Sequence, residues 1–131
     1  MDKLTEFEEI MRETMSPVAS EMLCDIRDHY SNAIAKHPFF ADEICFKDNT
    51  GWELQAQQLK SYLKYCTEKR EKGENQYCRA QDVLDVELAE VYAAYSKGDY
   101  EQARYEIFDA IAVLLRMDDM IAEKQMEDSH A

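Results

Sequence analysis

Glycine and proline are scarce in this 131-residue chain, three and two respectively. With so few turn residues, a sandwich or barrel of many short strands is excluded. Apolar residues never run for eighteen positions, which excludes a membrane-spanning helix. No basic-then-apolar leader opens the sequence, so the expected location is cytoplasmic. Cations are also few: 15 Lys and Arg stand against 28 Asp and Glu, for a formal charge of -13. Neutralising a phosphate backbone needs a basic surface, so no nucleic-acid polymer and no membrane is expected as partner. Four cysteines, Cys24, Cys45, Cys66 and Cys78, offer no CxxC pair and no useful spacing to histidine. They are expected to be reduced, structural thiols.

What is abundant, Ala, Glu, Leu, Met and Gln, are helix formers. The expectation is one all-α domain over residues 1–131, a compact bundle of four to five helices. Leu4, Phe7, Ile10 and Met11 share one side of a short helix over 3–14. Ser16 and Pro17 start a second helix that reaches about Lys36 and turns Met22, Leu23, Ile26, Tyr30 and Ile34 toward a core. His37 precedes Pro38 and is pushed out of helical geometry, so 37–50 is irregular, with Phe39 and Phe40 either bordering a pocket or pinning the loop. Thr50 and Glu53 form a capping box for a third helix with a stripe of Trp52, Ala56, Leu59, Leu63 and Cys66, closed by Gly73.

The stretch from 82 to 121 reads as a helical hairpin, its helices running from about Asn75 to Ser96 and from Asp99 to about Glu123. Gly98 supplies the positive φ that closes the first helix, and Asp99 with Gln102 caps the second. Acids interrupt both apolar runs. Glu87 and Glu90 lie among Val83, Leu84, Val86, Leu88, Val91 and Tyr92; Asp109 lies inside Ile107, Phe108, Ala110, Ile111, Val113 and Leu114, with Glu106 at its edge. Each pair is spaced i, i+3 and shares a helical face. In an antiparallel hairpin about Gly98, Glu90 is level with Glu106 and Glu87 with Asp109. Four converging carboxylates repel one another, and a hard divalent cation, Mg²⁺ or Mn²⁺, relieves that repulsion best. The competing reading pairs these acids with Arg104, Arg116 or Lys97, or faces them to solvent.

The pattern ExxE, fifteen residues, then ExxD, followed by an apolar run and Arg116, resembles the metal-binding core of the MazG-like, all-α NTP pyrophosphatase superfamily. The short segment His37-Pro38-Phe39-Phe40-Ala41-Asp42 is similar to one in phage-associated members. The resemblance implies that Glu87, Glu90, Glu106 and Asp109 hold Mg²⁺ against the phosphates of a nucleoside triphosphate. It implies hydrolysis to the monophosphate and pyrophosphate, a nucleotide-pool house-cleaning role, and a homodimer or homotetramer. Arg116, seven residues past Asp109 and about 10 Å along the axis, either holds a distal phosphate or pairs with Asp82 or Asp85. Lys97 is a second candidate for phosphate, although a cation at a helix C-terminus is also expected on dipole grounds. Trp52 is the candidate aromatic face for the base, against a reading as core.

Two rival functions are non-catalytic. Gly98, Asp99, Tyr100, Ala103 and Ala110 match the turn of a tetratricopeptide repeat, but one copy is visible where an array needs about three. The charge of -13 also suits an acidic decoy for a basic partner, yet it is spread along the whole chain.

Overall fold

A computed structural model describes residues 17–46, 51–74 and 78–130. The expected helix over 3–14 and the threonine of the Thr50 box lie outside these residues. Among the described residues, four helices account for the regular structure: α1 Pro17–Lys36, α2 Gly51–Glu71, α3 Ala80–Ser96 and α4 Tyr100–Ser129. Among the described residues there is no strand, and no helix is long and apolar enough to cross a membrane. The all-α expectation therefore holds. The chain divides into two units, residues 42–114 and residues 1–41 with 115–131. The first contains the candidate site.

Helices α2 and α3 run antiparallel. Glu53 meets Lys97 and Lys60 meets Glu90, so contact positions rise along α2 as they fall along the partner segment. The α2 stripe read from the sequence is the inward face: Ala56 and Cys66 are buried, and Trp52, Leu59 and Leu63 are half-buried. Opposite them stand Val86, Ala89, Val91 and Ala94, with Ala103 and Ala110 on α4. Small side chains of this kind let helix backbones approach closely at interior packing density. Trp52 packs on Tyr92, ring centroids 4.7 Å apart and planes at 52°.

Both helix ends of this unit stop on a left-handed glycine. At Gly73 (φ 76°) the Gly73 N–H bonds the Arg70 carbonyl at 3.0 Å and the Glu74 N–H reaches Lys69 at 3.0 Å. At Gly98 (φ 79°) the same double bond joins Gly98 to Tyr95 and Asp99 to Ala94, at 2.9 and 3.0 Å. This is the Schellman closure, which satisfies carbonyls left without helical partners. Asp99 Oδ1 then accepts the Gln102 N–H at 3.2 Å, as the capping expectation required.

Several boundaries and faces differ from the sequence reading. Helix α3 begins at Ala80 rather than about Asn75, because Arg79 is extended (φ -91°, ψ 144°) and its guanidinium turns onward to Asp82 at 3.3 Å. Helix α4 continues past Glu123 to Ser129, with no glycine or proline to stop it and with a Lys124–Glu127 pair at 3.7 Å on its last turns. On α1, Ile26, Tyr30 and Ile34 are exposed rather than turned into a core, and Phe39 and Phe40 are exposed beyond it. What anchors the following loop is polar: Glu43 accepts from the Tyr95 hydroxyl, and Cys45 Sγ lies 3.6 Å from Ser96 Oγ.

Candidate functional site

The α3–α4 hairpin brings the four acids together as their distances from Gly98 require. Glu87, Glu106 and Asp109 each place a carboxylate oxygen within 4.8 Å of the others. Glu90 lies close enough to Glu106 to raise its carboxyl. Glu90 stands at the rim rather than inside the trio, because its Oε1 is taken by Lys60 Nζ at 2.8 Å. The four-acid set expected from the sequence is thus a trio plus one acid held by a lysine from α2.

Burial sets the electrostatics. The Oε2 atoms of Glu87 and Glu106 are buried and have no hydrogen-bond partner. Burial, then the Glu90 hydrogen bond and the charges of Glu90 and Asp109, push the Glu106 carboxyl up to about 7, although a hydrogen bond from Gln102 works against them. The Gln102 Nε2 donates to Glu106 Oε1 at 2.7 Å. Glu87 is raised mainly by burial, next by the charges of Glu90 and Asp109, with Lys60 opposing. Lys60 is held above its ordinary value chiefly by its hydrogen bond to Glu90. A proton on this cluster substitutes for a missing positive charge.

Beside the acids lies an open cleft of about 250 Å³ between α2, α3 and the start of α4, lined among others by Gln57, Lys60, Glu90, Lys97, Gln102 and Glu106. Lys97 faces it, with its Nζ 2.7 Å from Glu53 Oε1. Trp52 is outside this lining, packed on Tyr92. Arg116 is exposed and belongs to the other unit. Lys60 and the Gln102 side chain were not singled out from the sequence. The signal for Lys60 was its place one turn after Ala56 and three residues before Leu63, a cation set on an otherwise inward stripe.

Helix α4 is covered along one stripe only. Tyr100, Tyr105, Ile107 and Phe108 are exposed, and Arg104 joins three of them around an apolar recess of about 420 Å³.

Fold and site together define an all-helical protein with a carboxylate cluster across a helical hairpin. Compared with protein-family models, with curated proteins and with solved structures, the chain matches none.

Proposed function

We propose that this chain is a Mg²⁺-dependent nucleoside triphosphate pyrophosphohydrolase, similar to the MazG-like superfamily, converting an NTP or dNTP to the monophosphate and pyrophosphate. One observation carries the reading: three carboxylates from two helices meet within 4.8 Å, two of them with a buried oxygen that has no protein partner. The donor set fits a hard cation. Carboxylate oxygens are the ligands that Mg²⁺ prefers, and Mn²⁺ has the same preference.

When bound, the cation would offset phosphate charge and make a water more acidic. The chain's own groups supply the rest. Glu87, Glu106 and Asp109 hold the position; Glu90, outside the trio, accepts the proton of the attacking water. Lys60 orients Glu90, and Lys60 with Lys97 draws phosphate oxygens into the cleft. Water oxygen bonds to phosphorus as the bond linking the α- and β-phosphates breaks, and the departing pyrophosphate carries away the electron pair. Trp52 keeps its proposed role as an aromatic neighbour of the base. A house-cleaning role in the cytoplasm and a homodimer or homotetramer belong to the same reading.

The test is a panel of ribo- and deoxyribonucleoside triphosphates with Mg²⁺, Mn²⁺ or EDTA, with pyrophosphate and monophosphate detected separately. Metal-dependent release of both, lost in Asp109→Asn, supports the proposal; silence across the panel overturns it. The exposed face of Tyr100, Tyr105, Ile107 and Phe108 supports a second reading, a non-catalytic helical interaction module, tetratricopeptide-like or an acidic decoy.

A further inference from the structure

The outward stripe of α4 takes no part in the carboxylate cluster. Glu101, Arg104, Tyr105 and Phe108 recur at the i, i+3, i+4, i+7 spacing of one helical face. They lie on the side away from Ala103 and Ala110, which are buried, and away from Glu106, which meets Glu87. Together with Tyr100 they line the recess of about 420 Å³, in which Tyr105 is 61% and Phe108 58% exposed. Three aromatic rings left to water along two turns of a helix mark a surface for a partner to cover.

Charge selects the occupant. On a chain of charge -13 most of the surface repels a second copy. The recess is an exception, since its charged members are one carboxylate, Glu101, and one guanidinium, Arg104. Both side chains are exposed, and among the described residues neither is in an ion pair. A patch with one charge of each sign, three residues apart along a helix, is complementary to itself when turned end for end. A two-fold axis perpendicular to α4, midway between positions 101 and 104, sets Glu101 of each copy against Arg104 of the other. The same rotation sets Tyr100 against Tyr105 and carries Phe108 toward the turn at Gly98, where even an added Cβ would meet nothing within 4 Å. A basic partner, the occupant that net charge alone suggests, would bring a like charge onto Arg104.

We propose that this face of α4 binds the same face of a second copy, antiparallel about that axis, with reciprocal Glu101–Arg104 ion pairs beside an aromatic contact. This contact rests on the proposed self-association and gives it a surface, an axis and a pairing, with no step of the hydrolysis involved. The rings supply most of the affinity, because apolar area removed from water outweighs ion pairs at a wet margin. The ion pairs select the antiparallel arrangement, since a parallel one sets Glu101 on Glu101 and Arg104 on Arg104.

The test is sedimentation velocity of the full chain over a range of concentrations, without metal or nucleotide, so that its outcome is separate from that of pyrophosphate release. Expected is association of the wild-type chain into dimers. Glu101→Arg and Arg104→Glu each create two like-charge contacts per dimer and should weaken association at least about tenfold. An equimolar mixture of the two variants should regain a dimer with one chain of each kind, because every contact across the axis is again between opposite charges. The double variant Glu101→Arg/Arg104→Glu should regain its own dimer for the same reason. Both side chains are exposed, so helical circular dichroism should match the wild type throughout. A wild-type chain that stays single at every concentration overturns the proposal and leaves the face to a different protein. Dimers that survive both single reversals overturn the choice of face, and dimers lost in the single variants but not regained in the mixture overturn the axis.

Discussion

The proton on Glu106 is bound more tightly in the folded chain than in the unfolded one, since burial and neighbouring acids raise its carboxyl from 4.5 to about 7. A raised carboxyl makes the native state the better proton binder between those values. Its contribution to stability is thus favourable at the acid end and lost as pH rises toward 7. In EDTA the melting temperature should fall between pH 5 and pH 8, and Glu106→Gln should flatten that fall; an unchanged slope in the variant would assign it to other groups. Mg²⁺ at pH 8 should restore most of the lost stability, because cation and proton compete for the same oxygens. The residues also separate into roles. Asp109→Asn should remove both pyrophosphate release and the Mg²⁺-induced rise in melting temperature. Glu90→Gln should remove release and keep the rise, because Glu90 stands outside the trio. Loss of the rise in Glu90→Gln would place it among the ligands.

At the scale of elements, the hairpin depends on Gly98. A Cβ there would meet nothing within 4 Å, so the cost of Gly98→Ala is conformational, about 1 kcal/mol, from φ at 79°. Urea unfolding should show that loss, and Asp99→Ala should cost a similar amount through the missing cap on Gln102. These features were legible in the sequence because each is local: a glycine, an Asx cap and an i, i+3 spacing are fixed by neighbours in the chain. The level pairing of Glu90 with Glu106 and of Glu87 with Asp109 followed from counting back to that glycine. The place of Lys60 beside the inward stripe was legible, but its pairing with Glu90 was not, since that depends on which helix packs on the hairpin and in what register. The start of α3 was misjudged for a related reason: nothing in the composition of Asn75–Arg79 announces that Arg79 is extended. The exposure of Phe108 was also hidden, because an apolar run in α4 does not say how many of its sides are covered.

On the scale of the molecule, two opposed surface properties stand side by side. The charge of -13 keeps chains apart, whereas Tyr105, Ile107 and Phe108 offer an apolar face that favours association. The proposed dimer or tetramer should appear by sedimentation velocity at about 0.15 M salt, where charge repulsion is screened beyond about 8 Å. Phe108→Glu should reduce the sedimenting mass to that of one chain; an unchanged mass would locate the contact elsewhere. Duplex DNA should remain unbound under the same conditions.

The packing of Trp52 on Tyr92 has an optical consequence. It is the chain's single tryptophan, and its indole nitrogen is buried without a hydrogen-bond partner. Emission on excitation of the indole therefore comes from one place, the seam between α2 and α3, next in the chain to Glu53, which pairs with Lys97. A shielded indole fluoresces toward the blue, and wetting of that seam would shift it to the red. The chain thus carries its own dye, able to follow in real time whether α2 stays seated while protons, cations or nucleotides come and go beside it.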